Sequence, residues 1–109
     1  MIRVSFRYDS TGCRTAFRFE GHAGYAREGK DIVCAAASVL ALNTVNSVES
    51  FTKDAFDIET DEKPGYMMFS FKNEPSEGGR LLLKSLELGI KGIIEDNGKR
   101  FINLVEWEV

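Results

Sequence analysis

The chain is short of the residues that build metal centres and disulfide frameworks. Its 109 residues include two cysteines and a single histidine. Two cysteines are too few for the disulfide scaffold of a small secreted protein, and the three side chains together fall short of the four ligands of a zinc site. We therefore expect two thiols in a reducing compartment, and neither a metal nor another cofactor.

Long apolar runs and an excess of positive charge are absent as well. The longest nearly apolar run, residues 32–42, is about half of the roughly twenty residues that span a bilayer, and the first residues alternate like a strand rather than a signal peptide. The net charge is −3, with scattered basic residues, so basic peptides are more natural partners than RNA. We expect a cytoplasmic protein that binds no membrane and no nucleic acid directly.

The remaining composition is that of an ordinary globular protein, with 43% hydrophobic and 28% charged residues. A chain of this length suffices for one core, so we expect residues 1–109 to form a single domain. The periodicity of the sequence predicts the order β-β-α-β-β-α-β. An antiparallel or mixed five-stranded sheet with two helices packed on it satisfies that order best, so the predicted fold class is α+β.

Alternation of apolar and polar residues predicts the five strands. The first runs from Ile2 to Tyr8 and, after turn residues 9–12, the second covers residues 15–19. A second hairpin joins residues 56–60 to residues 66–71 through a turn at residues 63–65. One face of the last strand carries Phe101, Val105, Trp107 and Val109.

Two stretches have the period of helices. The first begins at Asp31, a residue suited to the N-cap, and continues to about Phe51. Between residues 32 and 42 it is apolar or small on nearly every side, which predicts burial on several sides. The second helix ends near Asn97-Gly98 and carries Leu81 and Leu88 opposite its core-facing stripe. That stripe consists of Leu82, Leu83, Leu86, Ile90, Ile93 and Ile94.

Cys34 is the first candidate for chemistry, because it falls in the first turn of the helix that Asp31 would cap. The unpaired N–H groups there favour negative charge and can lower a thiol pKa from roughly 8.5 into the range where the thiolate is populated. The competing interpretation is structural, since three alanines follow Cys34 and a cysteine in such a run is more often a small buried hydrophobe.

His22 favours the catalytic interpretation, because nucleophilic cysteine catalysis needs a base that takes the thiol proton and returns it to a leaving group. It is the only imidazole in the chain and lies at a strand end. Glycines at positions 21, 24 and 29 surround it and allow the intervening loop unusual backbone angles. The segment from His22 to Cys34 is long enough for the end of the second strand and the start of the first helix to lie side by side. The sequence alone does not establish that they do.

Two further residues, Asp31 and Ser38, have possible supporting roles, and the second cysteine has none. Asp31 could cap the helix or orient His22, and capping is the more common role of an aspartate there. Ser38, one helical turn beyond Cys34, could donate a hydrogen bond to the thiol, although a serine inside a helix usually bonds its own backbone. Cys13 falls in a hairpin turn, far from the Cys-x-x-Cys spacing of a resolving thiol, and we interpret it as an incidental turn residue.

The N-terminal third carries a combined pattern that is more specific than any single residue in it. The pattern is GHA at residues 21–23 and GKDIVCAAAS at residues 29–38, followed by a long helix. It resembles the pattern of the ribosomal-processing cysteine protease family (Prp). The resemblance extends over the whole chain in length and in the order of elements.

This resemblance implies a small endopeptidase that removes a short N-terminal extension from a large-subunit ribosomal protein, whose precursor would be its peptide substrate. It further implies a catalytic dyad of His22 and Cys34, an intervening loop that closes over the substrate, and a homodimer. Two other classes of protein remain possible from the residues alone. One is a binding module that escorts a ribosomal protein without chemistry, and the other is a thiol-redox enzyme that uses Cys34.

Overall fold

The computed structural model describes residues 2–21, 30–61, 65–98 and 101–107, and everything below refers to that part of the chain. It contains five strands, two α-helices and one short π-helical turn. In chain order these are β1 (Ile2–Tyr8), β2 (Arg14–Glu20), α1 (Lys30–Phe51), β3 (Phe56–Asp61), β4 (Tyr66–Phe71), α2 (Glu77–Ile93), the turn Ile94–Gly98 and β5 (Ile102–Glu106).

The strands form one mixed sheet in the order β3-β4-β2-β1-β5. Both hairpins are antiparallel, and β4 of the second hairpin pairs antiparallel with β2 of the first. The last strand, β5, pairs parallel with β1 because the chain returns to it through α2. The predicted α+β class and element order are therefore confirmed.

The turn between β1 and β2 is set by local side-chain hydrogen bonds. The Asp9 carboxylate accepts hydrogen bonds from the Thr11 N–H at 2.8 Å and the Cys13 N–H at 3.0 Å. Gly12 has a φ of 84°, a conformation that is unfavourable for residues with a Cβ. Cys13 lies in this turn, as the sequence predicts.

The core lies between the sheet and the two helices, and aromatic side chains form its centre. Phe17 on β2 stacks on Phe69 of β4 with ring centroids 5.1 Å apart, and Phe6 on β1 packs against Phe17 at 6.2 Å. All three are at most 1% exposed. Burial of such large side chains supplies much of the hydrophobic free energy that holds the layers together.

Helix α1 is buried against the sheet and partly against α2, and its remaining side is exposed, so the prediction of burial on several sides holds only for these two sides. Val33, Ala37 and Ala41 are at most 4% exposed and pack on the core, whereas Ile32, Val39 and Leu42 are 74%, 64% and 50% exposed. A single sheet covers one side of a helix and α2 covers part of a second side. The outward side of α1 is left apolar and exposed to solvent.

The apolar character of α1 also meets the length and composition criteria for a membrane span. Its residues 32–51 have a mean hydropathy of 1.4 over the best window, of which 33% is buried in the fold. The expectation of no membrane span depends on the apolar run at residues 32–42 alone, whereas the helix continues to Phe51. The core helix of a soluble protein meets the same criteria, and one face of α1 forms part of the core described above.

Helix α2 begins at a well-formed cap. The Ser76 side chain accepts a hydrogen bond from the Gly79 N–H at 3.1 Å, and the Asp54 carboxylate accepts hydrogen bonds from the Ser76 N–H at 2.9 Å and hydroxyl at 2.7 Å. Burial would raise the pKa of Asp54, but the hydrogen bonds from Ser76 outweigh it and hold the pKa below its usual value. This arrangement fixes the start of α2 against the start of β3.

The buried stripe of α2 agrees with the sequence-based prediction. Leu83, Leu86 and Ile90 are at most 2% exposed, whereas Leu81 and Leu88 are 66% and 72% exposed. In β5 the core-facing residues are Ile102 and Leu104. Val105 belongs to the opposite face, where the Trp107 ring lies 4.4 Å from the Arg18 guanidinium.

Candidate active site

The start of α1 positions the candidate nucleophile. In the described part of the chain the helix begins at Lys30, within one residue of the predicted start at Asp31. Cys34 is consequently the fifth helical residue. Because side chains on a helix lean toward its N-terminus, the Cys34 thiol still lies over the first turn and its N–H groups.

Cys34 lines a cleft of about 630 Å³ between the first half of α1 and one end of the sheet. The helix, the ends of β1 and β2 and the β3–β4 hairpin all contribute to it. Its lining residues are Ile2, Phe19, Gly21, Cys34, Ala35, Ala37, Ser38, Ala41, Leu42, Thr60, Asp61, Gly65, Tyr66 and Met67. Both predicted site residues on the described part of α1, Cys34 and Ser38, are therefore in the cleft.

Gly21 brings the end of β2 to the same cleft. Its φ of 92° is a conformation that glycine adopts without strain. His22 is the next residue in the chain, and it lies outside the described residues together with Gly24 and Gly29. The Asp31 side chain also lies outside the described part of the structure. The strand end that precedes His22 and the helix turn that carries Cys34 thus line one cavity.

The cleft wall opposite α1 was not identified by sequence analysis. It consists of the ends of β3 and β4, including Thr60, Asp61 and Met67. The register pairs Thr60 with Met67 and Met67 with Phe19, so these three side chains share the helix-facing side of the sheet. The hairpin pattern predicted the strands, but it carries no information on which strand of the first hairpin they pair with.

The lining defines the chemistry that the cleft can perform. Its floor is apolar or small, and its polar side chains lie near the rim, where Ser38, Thr60 and Asp61 are exposed. Both cysteines are thiols in the structure and form no disulfide. Among the described residues no group of three histidine, cysteine or acidic side chains could hold a metal ion. The arrangement therefore suits a peptide with apolar side chains placed beside a thiol.

A second cluster of titratable residues lies at the other end of β1 and β2. Glu87 of α2 is 3% exposed and accepts hydrogen bonds from the Tyr8 hydroxyl and, at 2.7 Å, from the Arg14 guanidinium. Lys91 lies 3.4 Å from the same carboxylate. These contacts tie the tip of the first hairpin to α2, and their role is structural.

The pKa values of this cluster follow from its burial and its partners. Burial, followed by the hydrogen bond to Glu87, raises the pKa of Tyr8 to about 12. Burial alone would raise the pKa of Glu87, but the hydrogen bonds from Arg14 and Tyr8 outweigh it and hold the pKa below its usual value. Glu87 is therefore ionised at neutral pH, in a buried position.

Comparisons with known proteins show the family of this chain. The family model described as cysteine protease Prp matches residues 1–102. The ribosomal processing cysteine protease Prp of Staphylococcus aureus (strain Mu50 / ATCC 700699) is 28% identical over 96 residues, which are 88% of this chain and 91% of that protein. The protein of the same name from Bacillus subtilis (strain 168) is 26% identical over 100 residues, covering 88% of this chain and 89% of that protein.

Solved structures are similar over nearly the whole fold. The essential ribosomal processing protease Prp from S. aureus in complex with a substrate peptide matches with a TM-score of 0.90 at 26% identity, covering 98% of this chain and 100% of that one. The same protease with a covalently linked product peptide matches with a TM-score of 0.88 at 27% identity, with the same coverage. SMU.848 from Streptococcus mutans matches with a TM-score of 0.87 at 32% identity, covering 97% and 93% of the two chains.

The family match extends over almost the entire sequence and includes every strand and helix that lines the cleft. The S. aureus protease of the same fold binds a substrate peptide and carries a covalently linked product peptide. This chain therefore belongs to the Prp family of cysteine proteases.

Proposed function

We propose that this cysteine protease removes a short N-terminal extension from a large-subunit ribosomal protein, with Cys34 as nucleophile and His22 as general base. The observation that carries the proposal is that Cys34 and Gly21, the residue before His22, line the same cleft. The names of the relatives in S. aureus and B. subtilis, both ribosomal processing proteases, support the class of substrate. The apolar floor of the cleft suits an extension with apolar side chains beside the scissile bond.

The proposed reaction is acyl transfer through the Cys34 thiol. His22 takes the thiol proton, and the thiolate attacks the carbonyl carbon of the scissile peptide bond. N–H groups at the start of α1 stabilise the negative charge that develops on the carbonyl oxygen. The protonated imidazole then gives its proton to the leaving amine as the C–N bond breaks. Water, deprotonated by His22, hydrolyses the acyl-enzyme and restores the thiol.

The supporting residues have defined parts in this proposal. Asp31 accepts a hydrogen bond from the imidazole and orients it. Ser38 lies at the edge of the cleft, where it contacts the substrate. Gly21, Gly24 and Gly29 give the connection between His22 and Cys34 the freedom to close over a bound peptide.

We also propose that the protein acts in the reducing cytoplasm as a homodimer. Two thiols without a disulfide fit that compartment. The exposed apolar side chains Ile32 and Val39 of α1 lie seven residues apart on one side of the helix, which suits packing against the same helix of a second copy. Sedimentation of the wild type and of Val39→Glu tests this, because the variant should sediment as a monomer and an unchanged dimer would contradict the proposed surface.

The test of the catalytic proposal is cleavage of peptides that span the junction between the extension and the mature ribosomal protein, followed by mass spectrometry. Cys34→Ala and His22→Ala should each lower kcat/KM by about 10⁴-fold or more. Cys13→Ala is the matched control, because this second thiol lies in the hairpin turn at the other end of the sheet and its loss should leave cleavage unchanged. Cleavage that survives both active-site substitutions would refute the dyad.

The same assay separates the two alternative classes. Membership of a cysteine protease family favours peptide hydrolysis over an escort module and over a thiol-redox enzyme. An escort module would bind the precursor without cleaving it, and its function would survive Cys34→Ala. A redox enzyme would oxidise Cys34 rapidly with peroxide and leave the peptides intact.

A further inference from the structure

Strand β3 is an edge strand that ends at the catalytic cleft. In the sheet formed by the described residues it pairs with β4 alone, and no other described strand lies along its second side. Its last two residues, Thr60 and Asp61, line the cleft that contains Cys34. A peptide that leaves the cleft along the sheet would therefore follow this edge.

The backbone of β3 offers hydrogen-bonding groups along that edge. The Ala55 carbonyl, just before the strand, accepts a hydrogen bond from the Lys72 N–H at 2.9 Å. In an antiparallel pair, residues that bond their partner alternate with residues that do not. The N–H and C=O groups of Phe56, Ile58 and Thr60 therefore point away from β4. An extended peptide added to a sheet edge pairs with such groups.

The side chains of β3 differ between its two faces. Asp57, Glu59 and Asp61 share one face and are all exposed, whereas Ile58, on the other face, is apolar and 41% exposed. Among the described residues, the Lys72 ammonium lies 3.6 Å from the Asp57 carboxylate in an exposed ion pair. A strand added at this edge would place alternate side chains beside the three carboxylates and beside Ile58.

We propose that the edge of β3 is an exosite that binds the part of the substrate flanking the scissile bond as an added strand. Its preferred segment is extended and alternates basic residues, which face Asp57 and Glu59, with apolar ones, which face Ile58. The strand has six residues and the last two line the cleft, so a five-residue flank runs along the other four and reaches into the cleft. This inference rests on the proposed function, because it assumes that the reacting carbonyl lies at Cys34.

Carboxylates on an edge strand have a second, purely protective use. Charged side chains prevent the edges of two copies from pairing with each other, and the acidic row would serve this purpose without any substrate. The two roles predict different effects of substitution. A protective row affects self-association alone, whereas an exosite affects KM in a way that depends on the flanking sequence of the peptide.

The experiment measures kcat and KM for three peptides that share the residues around the scissile bond. One carries a five-residue flank of alternating lysine and valine, one carries glutamate and valine, and one lacks the flank. We expect Glu59→Lys to raise KM for the lysine peptide about fivefold, to leave kcat unchanged and to have no effect on the truncated peptide. In about 1 M salt the preference for lysine should shrink. Glu95→Lys is the control, because this exposed carboxylate lies after α2, away from β3.

A lysine peptide with N-methyl groups on alternate flank residues tests the backbone pairing. The methyl groups can stand on the odd or on the even flank residues. In one of these two patterns they replace the N–H groups that donate to β3, and KM should rise about threefold or more. Equal KM values for the lysine and glutamate peptides, or an unchanged KM in Glu59→Lys, would overturn the exosite even while cleavage proceeds. If the wild type cleaves no peptide, the proposed function fails. The exosite can then still be tested by measuring binding of the labelled lysine flank to the wild type and to Glu59→Lys by fluorescence anisotropy.

Discussion

The two ends of the sheet differ in how their polar groups are used. At one end, Cys34 and Ser38 line an apolar cleft that is accessible to a peptide. At the other end, Glu87 is buried and held by Tyr8 and Arg14. The first end therefore has a space for a partner from outside, whereas at the second end the described polar groups pair with one another.

Because of this difference, we expect the closed end of the sheet to determine mainly stability and the cleft end to determine mainly activity. Polar groups at the closed end were desolvated when the chain folded, so their hydrogen bonds and ion pairs contribute to the free energy of unfolding. Exposed side chains in the cleft, such as Ser38, can be changed at little cost to the fold. Substitutions at the closed end should therefore lower stability and spare activity per folded molecule, and substitutions in the cleft should do the opposite.

The largest effect is expected for Arg14→Ala at the closed end. It leaves the Glu87 carboxylate buried with Tyr8 and the more exposed Lys91 as its remaining partners, and it should lower the free energy of unfolding by about 3 kcal/mol. Urea denaturation measures this change. Specific activity at temperatures where the variant is folded should stay within about twofold of the wild type.

Arg80→Ala is the matched control for this prediction. The Arg80 guanidinium lies 2.7 Å from the Glu74 carboxylate, the same distance as in the Arg14–Glu87 pair, but the Glu74 side chain is 82% exposed. An exposed pair contributes less than about 1 kcal/mol. Equal losses in the two variants would show that burial does not distinguish the closed end.

The next effect is expected for Ser38→Leu at the cleft. A leucine one helical turn from Cys34 would occupy space that the peptide needs, so kcat/KM should fall about 100-fold, or about 2.7 kcal/mol. The free energy of unfolding should change by less than about 0.5 kcal/mol, because position 38 is exposed. Peptide cleavage and urea denaturation of the same preparation measure both quantities.

Two control variants test whether the loss of activity in Ser38→Leu is steric. Ser50→Leu introduces the same side chain at an exposed position near the other end of α1 and should leave kcat/KM unchanged. Ser38→Ala removes the hydroxyl without filling the cleft. If Ser38→Ala loses as much activity as Ser38→Leu, the hydroxyl itself takes part in the reaction and the steric explanation is wrong.

A smaller effect is expected for Gly79→Ala, where α2 starts at the closed end. A Cβ there would collide with the Asp54 carboxylate and lie 3.1 Å from the Phe71 ring, so we expect a loss of about 2 kcal/mol in the free energy of unfolding. Gly92→Ala in the same helix meets no atom within 4 Å and should stabilise the protein by about 0.5 kcal/mol. Thermal denaturation of both variants checks the contrast, and equal shifts in Tm would contradict it.

Sequence patterns specified the elements better than the surfaces between them. The alternation in β1 and the stripe on α2 predicted both elements and their buried faces, because each pattern is local to its element. The exposure of Val39 on α1 could not be predicted, because it depends on how much of that helix one sheet and one neighbour cover. The wall formed by Thr60 and Met67 depends on which strands pair, and hairpin periodicity does not contain that information.

The site shows the same limit. The first turn of a helix was sufficient to propose Cys34 as a nucleophile, but not to find the cleft wall across from it. Glu87 gives the clearest failure of sequence reasoning, because an isolated glutamate on a helix is normally solvated. Its partners, Arg14 and Tyr8, are 73 and 79 residues away in the chain, so only the folded structure brings them to it.

The smallest expected effect is the dependence of stability on acid, and it arises from Glu87. Its pKa is lower in the folded protein than in the unfolded chain, because Arg14 and Tyr8 donate hydrogen bonds to the carboxylate. The stabilisation is therefore fully present above the unfolded pKa and is lost as the pH falls through the folded value.

Urea denaturation from neutral pH into the acid range measures this loss, and the Glu87→Gln variant isolates it from the contributions of Asp9 and Asp54, whose pKa values are also lowered. The amide cannot be protonated in this range, so the stability of the variant should fall less steeply than that of the wild type. Parallel curves for the two proteins would mean that the buried carboxylate does not sense pH. Cleavage per folded molecule should follow the same pH profile in both proteins, because Glu87 lies at the end of the sheet opposite the cleft.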